Sequence, residues 1–111
     1  MRQFLRSQIH RLRVTSIDPN DISGIVIDKF LLEKADIVSG EKVLVGNVSN
    51  GSHWETCSTT GEKLMVSIRG PGAKLCKVGD ILIVSTFEYS DSPPKTKIVI
   101  VDRENKFEKI V

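Results

Sequence analysis

His53 and Cys57 stand four residues apart in a stretch of extended character, a spacing that puts both side chains on one face of a strand. A thiol near an imidazole is a candidate nucleophile, because the ring takes or stabilises the proton and leaves a thiolate. His10 and Arg69 are further groups able to lower a thiol pKa or hold an anion. Ser23 carries a hydroxyl where the polar run Asp18-Pro19-Asn20-Asp21 gives way to Gly24 and the apolar Ile25-Val26-Ile27. Each residue also has a plainer reading. Cys57 fills space, His53 is a solvated hairpin residue, His10 is held structurally, Arg69 is a surface charge, and Ser23 is a turn hydroxyl beside a flexible glycine. Asp18 and Asp21 flank a Pro-Asn turn, where capping of local backbone is their expected role. Cys57 and Cys76 lack Cys-x-x-Cys spacing and have no His at zinc-finger distances, so no metal site is expected.

Short extended elements must position these groups. Branched residues between Gln8 and Ile17 favour a strand, and Ile25-Val26-Ile27 reads as a short buried one. Asp28 caps a helix predicted from Lys29 to about Asp36, with Phe30, Leu31 and Ala35 as its apolar stripe. Lys42 to Val48 and His53 to about Thr59 form a hairpin across Ser49-Asn50-Gly51-Ser52, where Asn-Gly favours a type I′ turn. On the returning strand Trp54 alternates to the face opposite His53, which suits core or interface. Leu64 to Arg69 alternates as a half-buried strand, and Gly70-Pro71-Gly72-Ala73 opens a single helical turn. Ile81 to Val84 is apolar throughout, which suggests burial on both sides. Ser90 to Lys95 is a loop, Lys97 to Val101 a last strand, and Arg103 onwards a polar tail. This pattern predicts an all-β protein with a small helical insert, closed into a barrel that leaves no exposed edge.

The chain of 111 residues is long enough for one domain. A net charge of +2 is too small to require a polyanionic partner. Arg2, Arg6, Arg11 and Arg13 precede any acidic residue, but no aromatic residues interleave them, so nucleic-acid binding is not expected. No apolar run approaches the ~20 residues that span a bilayer. Met1 to Arg6 lacks the apolar core of a secretion signal, so a cytoplasmic location is expected.

Several landmarks together resemble the pyruvoyl-dependent aspartate 1-decarboxylase family. They begin with His10-Arg11, Val14-Thr15, Gly24 and Ile27-Asp28. Gly40-Glu41, Asn47-Val48, Asn50-Gly51, Thr56 and Gly61-Glu62 follow, then Gly70, Ala73 and Val78-Gly79-Asp80. No one of these is specific, but their collinear order spans nearly the whole chain. The resemblance implies a double-psi β-barrel and a homotetramer with sites between neighbouring subunits. In that family a Gly-Ser bond breaks autocatalytically: the hydroxyl attacks the preceding carbonyl, an N→O shift gives an ester, and elimination and hydrolysis turn the serine into a pyruvoyl group. The pair here is inverted, as Ser23-Gly24. The family's pyruvoyl-forming serine falls on Gly24, which has no side chain to cyclise. Its lysine falls on Gln8, its tyrosines on Asp21 and Cys57, its arginine on His53 and its asparagine on Arg69, whereas Thr56 and His10 match.

From these departures, the expected function is a divergent enzyme that neither self-processes nor decarboxylates aspartate. It would act without a cofactor on another small carboxylic acid or acyl substrate, in an inter-subunit pocket. Cys57, His53, His10 and Thr56 would be catalytic; Arg69, Asp21, Gln8 and the backbone N–H groups of Gly72 and Ala73 would bind substrate. The alternative is a true L-aspartate decarboxylase making β-alanine with a covalent pyruvoyl from Ser23, cleaved one residue early, after Ile22. In an extended segment that shift turns the side chain to the opposite face unless a bulge compensates. A second alternative is a non-catalytic binding module or an inactive partner of an intact decarboxylase.

Overall fold

The structure, a computed structural model, describes residues 1–111 and is built from nine strands with one short helix. The strands are β1 (Arg2–Arg13), β2 (Ser16–Asp18), β3 (Gly24–Asp28), β4 (Lys42–Asn47), β5 (His53–Gly61), β6 (Val66–Arg69), β7 (Ile81–Ser90), β8 (Lys97–Val101) and β9 (Phe107–Ile110), with α1 (Lys29–Lys34) after β3. They form one mixed sheet in the order β2-β6-β3-β5-β4-β7-β1-β8-β9. Three pairs are parallel, β1 with β8, β2 with β6 and β3 with β5. The sheet curls around a core that includes Ile9, Leu12, Ile25, Ile27, Val45, Ile68, Leu82 and Val99, all fully buried. This is the all-β architecture of a double-psi barrel.

The strand ladder does not close, contrary to expectation. Its two ends, β2 and β9, have three and four residues and remain mostly exposed. Edges this short offer little template for pairing with another chain. β9 arises in what the sequence suggested was a polar tail. Asn105, with φ 63° and 2 % exposed, ties the turn before it to the Arg13 and Leu64 carbonyls.

α1 forms for the expected reason. The Asp28 carboxylate accepts the Phe30 N–H at 2.9 Å and the Leu64 N–H at 2.8 Å, capping the helix and tying it to the β5–β6 turn. Leu31 and Leu32 drop into the core, each stabilising the fold by about 1.5–3 kcal/mol through burial. The β4–β5 connection is not the tight type I′ turn. Only Gly51 has positive φ there, and the Asn47 N–H bonds the Ser52 carbonyl across a wider loop. In β7, Leu82 and Val84 are fully buried while Ile81 and Ile83 are half-buried, so one face packs on the core and the other does not. No helix is long and apolar enough to cross a membrane.

Candidate active site

Asp18, the last residue of β2, and Gly24, the first of β3, both pair with Arg69 of β6. The loop from Pro19 to Ser23 therefore leaves the sheet and returns to it at a single residue. Inside the loop, the Asp18 carboxylate accepts the Asn20 N–H at 3.0 Å and the Asp21 carboxylate accepts the Ile22 N–H at 2.7 Å. These are the local caps expected of the two acids, and Asp21 adds an ion pair to Arg69 at 3.3 Å. Ile22 is 87 % exposed.

Ser23 follows in the bend that precedes β3, packed against Gly70. It contributes to a cavity of about 190 Å³ with Trp54, Thr56, Arg69, Pro71 and Gly72. β5 supplies two of these by alternation. Trp54 and Thr56 are half-buried, while His53, Glu55 and Cys57 are exposed. Trp54 packs against the core, as its alternation implies, and the same face walls the serine cavity, which periodicity alone does not show. The far wall is the 3-10 turn Pro71–Leu75, the helical turn anticipated at Gly70-Pro71. Its Ala73 N–H is donated to the Gly70 carbonyl at 3.0 Å, so it is not offered to a ligand carboxylate as expected.

His53 and Cys57 share a face, as their spacing implies, but they do not form a nucleophile–base pair. Four residues of extended chain separate them by roughly 13 Å, and no hydrogen bond joins them. The nearest pairing around Cys57 is instead across β4, where Lys42 sits opposite it and binds Glu55 at 2.6 Å. The hydrogen bond and charge of Glu55 hold the Lys42 ammonium above its ordinary pKa.

His10 and Gln8 occupy a third location. The β1 register slips between Ile9 and Leu12, and Arg11 adopts φ 68°, so His10-Arg11 forms a bulge. His10 Nε2–H donates to Gln8 Oε1 at 2.7 Å, and Gln8 Nε2 donates to Ser85 Oγ at 2.9 Å. Burial, then the Arg11 charge, push the His10 imidazole below its ordinary pKa. The bulge faces a cavity of about 550 Å³ shared with Arg13, Ile81, Ile83 and Arg103, distinct from that of Ser23. Within one chain, Ser23, Asp21, Thr56, Arg69 and Gly72 come together, the His53 and Cys57 side chains lie on the opposite, exposed face of β5, and His10 and Gln8 lie at the separate β1 bulge.

Fold and cavity together define a small mixed-sheet barrel with a serine-bearing pocket at the entry to one strand. The chain belongs to the aspartate decarboxylase family, whose model matches residues 1–108. It is 40 % identical over 111 aligned residues to an aspartate 1-decarboxylase of Thermoanaerobacter pseudethanolicus, covering 95 % of each chain. It is 37 % identical to the aspartate 1-decarboxylase of Haloquadratum walsbyi, over 95 % of this chain and 94 % of that one. A third aspartate 1-decarboxylase, from Laribacter hongkongensis, is 37 % identical over 95 % of this chain and 87 % of its own.

These relatives overturn the expectation of a divergent enzyme for another acid or acyl substrate. Chains this similar along nearly their whole length carry the name of the aspartate enzyme, which favours the pyruvoyl-dependent alternative. The physical objection to Ser23 also weakens. Strand alternation governs β3, but Ser23 lies in the bend before it, where a one-residue shift need not reverse the side chain.

Proposed function

We propose that this protein is a pyruvoyl-dependent L-aspartate 1-decarboxylase forming β-alanine, and that it processes itself at the Ile22–Ser23 bond. The observation that carries the reading is the position of Ser23, in the lining of the cavity that Thr56 and Arg69 also line. A pyruvoyl group suits this place. It needs a hydroxyl, which Gly24 lacks and Ser23 supplies, on a segment free to rearrange. The bend is exposed, and the Ile22 side chain is not anchored in the core.

In processing, Ser23 Oγ attacks the Ile22 carbonyl carbon and the C–N bond breaks as the acyl group moves to oxygen. Loss of the Ser23 α-proton then expels the Ile22 carboxylate, and water completes the conversion with release of ammonia. The products are Met1–Ile22 and a fragment from position 23 to Val111. Once formed, the pyruvoyl carbonyl supplies an electron sink for loss of the substrate α-carboxylate. The Arg69 guanidinium gives a permanent cation for a substrate carboxylate. Thr56 adds a hydroxyl at the cavity wall, and Trp54 supplies an apolar side that limits solvent. Residues of a second copy complete the site in a homotetramer, where the neutral His10 imidazole and the Gln8 amide of one subunit serve the serine pocket of another. Their separation from Ser23 within a chain supports this arrangement.

The test is mass spectrometry of the purified chain with a β-alanine assay. The expected result is two fragments and β-alanine from L-aspartate. Ser23→Ala abolishes both. Gly24→Ala retains both, because a Cβ at position 24 meets the Cys57 carbonyl at 3.4 Å and Thr59 Oγ1 at 3.8 Å and nothing nearer. An intact, inactive wild-type chain would refute the proposal.

A further inference from the structure

We infer that Asp21 and Arg69 form a clamp that holds the Ile22–Ser23 bond for self-cleavage, a positioning role that rests on the processing reading above. The two sides of the loop converge on Arg69, since Asp18 pairs with it on one side and Gly24 on the other. Its backbone fixes the loop's feet. Its side chain then crosses the loop, and Nη1 meets Asp21 Oδ2 at 3.3 Å. The second oxygen of the same carboxylate, Oδ1, accepts the Ile22 N–H at 2.7 Å. One carboxylate therefore connects the cation to the peptide unit immediately before the bond that breaks.

The brace is rooted in the sheet. Arg69 Nε donates to Ser67 Oγ at 3.4 Å, and Ser67, only 2 % exposed, accepts from Ser16 Oγ at 2.9 Å. Gly70 completes it, donating its N–H to the Asp18 carbonyl at 2.9 Å while its Cα packs on Ser23. Both Asp21 oxygens are occupied, so the carboxylate acts as a tie and not as the base that deprotonates Ser23. Cleavage places Asp21 and Arg69 on different fragments. The pair thus spans the break, and once the amino-terminal fragment moves, Arg69 is released to a substrate carboxylate.

The two partners are each more than one-third exposed, so the pair contributes little to folding and responds to salt. That separates a positioning role from a structural one. The experiment follows fragment formation over time by intact mass in freshly refolded wild type, Asp21→Asn, Arg69→Gln and the reversed pair D21R/R69D, with thermal melts in parallel. The clamp predicts cleavage about fivefold slower in each single variant, partial recovery in the reversed pair, and unchanged melts. High salt should slow wild type toward the rate of the single variants. Wild-type rates in D21N and R69Q would overturn the clamp and leave the processing reading standing. Slow single variants with no recovery on reversal would overturn the pairing. A wild-type chain that never splits would overturn both.

Discussion

A Cβ placed on Gly70 would come within 2.5 Å of Ser23 Oγ and 2.7 Å of Ser23 Cα, so glycine is what lets β6 end directly against the serine. Gly70 also holds φ +81°, a conformation that other residues adopt only with strain. Gly70→Ala is expected to destabilise the fold by about 1–3 kcal/mol and to displace Ser23. Urea denaturation measures the first effect, and the rate of fragment formation the second. A variant that keeps wild-type values for both would show that the contact relaxes without consequence.

A similar contact lies across the cavity. A Cβ on Gly72 would collide with Trp54 Nε1 and meet Cε2 at 2.8 Å, so the indole occupies the space a side chain would need. Gly72→Ala should push the indole toward the pocket, raise KM for aspartate several-fold and cost about 1–3 kcal/mol of stability through overpacking. Trp54 is the only tryptophan, so its emission spectrum reports the move directly. Trp54→Phe combined with Gly72→Ala should restore much of the loss. Unchanged emission in the single variant would count against the idea.

Local rules anticipated much of the scaffold. Asp28 as a cap, the buried Ile25–Ile27 strand and the helical turn after Gly70 each depend on neighbours within a few residues. What escaped depends on distant partners. β9 is exposed and polar and exists through pairing with β8, while the first residues of β1 are held by β7. Ile81 and Ile83 read as core from composition, yet they line the His10 cavity. For the site, Ser23 and Asp21 are placed on one loop by the turn chemistry of Asp18-Pro19-Asn20-Asp21, but its meeting with Thr56 and Arg69 needs three strands in register. Periodicity also misled at His53 and Cys57. It correctly put them on one face, but a shared face over four extended residues is not contact.

His10 offers a titration test. Burial and the Arg11 charge disfavour the imidazolium, so the folded pKa lies below that of a free imidazole, about 6.5. The unfolded chain therefore binds this proton more readily, and stability declines as pH falls below the unfolded value. NMR of the ring protons should give a midpoint under 6.5, and His10→Asn should flatten this part of the pH–stability curve. A midpoint at or above that of free imidazole would refute the assignment.

Glu41 sets the lower end of the same curve. Burial pushes its carboxyl up, but hydrogen bonds from Thr86 Oγ1 at 2.6 Å, the Val38 N–H at 3.2 Å and Arg6 outweigh that and hold it below its ordinary pKa. Arg6 Nε is buried without a partner, so Glu41 is the principal compensation for that cation. The folded state then binds fewer protons than the unfolded one. The resulting stability is fully present above the ordinary carboxylate value and is lost as pH falls through the lower folded value. Glu41→Gln should therefore destabilise the protein by about 2–3 kcal/mol near neutrality, since it leaves Arg6 uncompensated. The difference should shrink on acidification, as the wild-type carboxylate becomes neutral too. Urea midpoints for both proteins at neutral and acid pH decide the matter: a gap that stays constant would mean that the carboxylate charge is not its source.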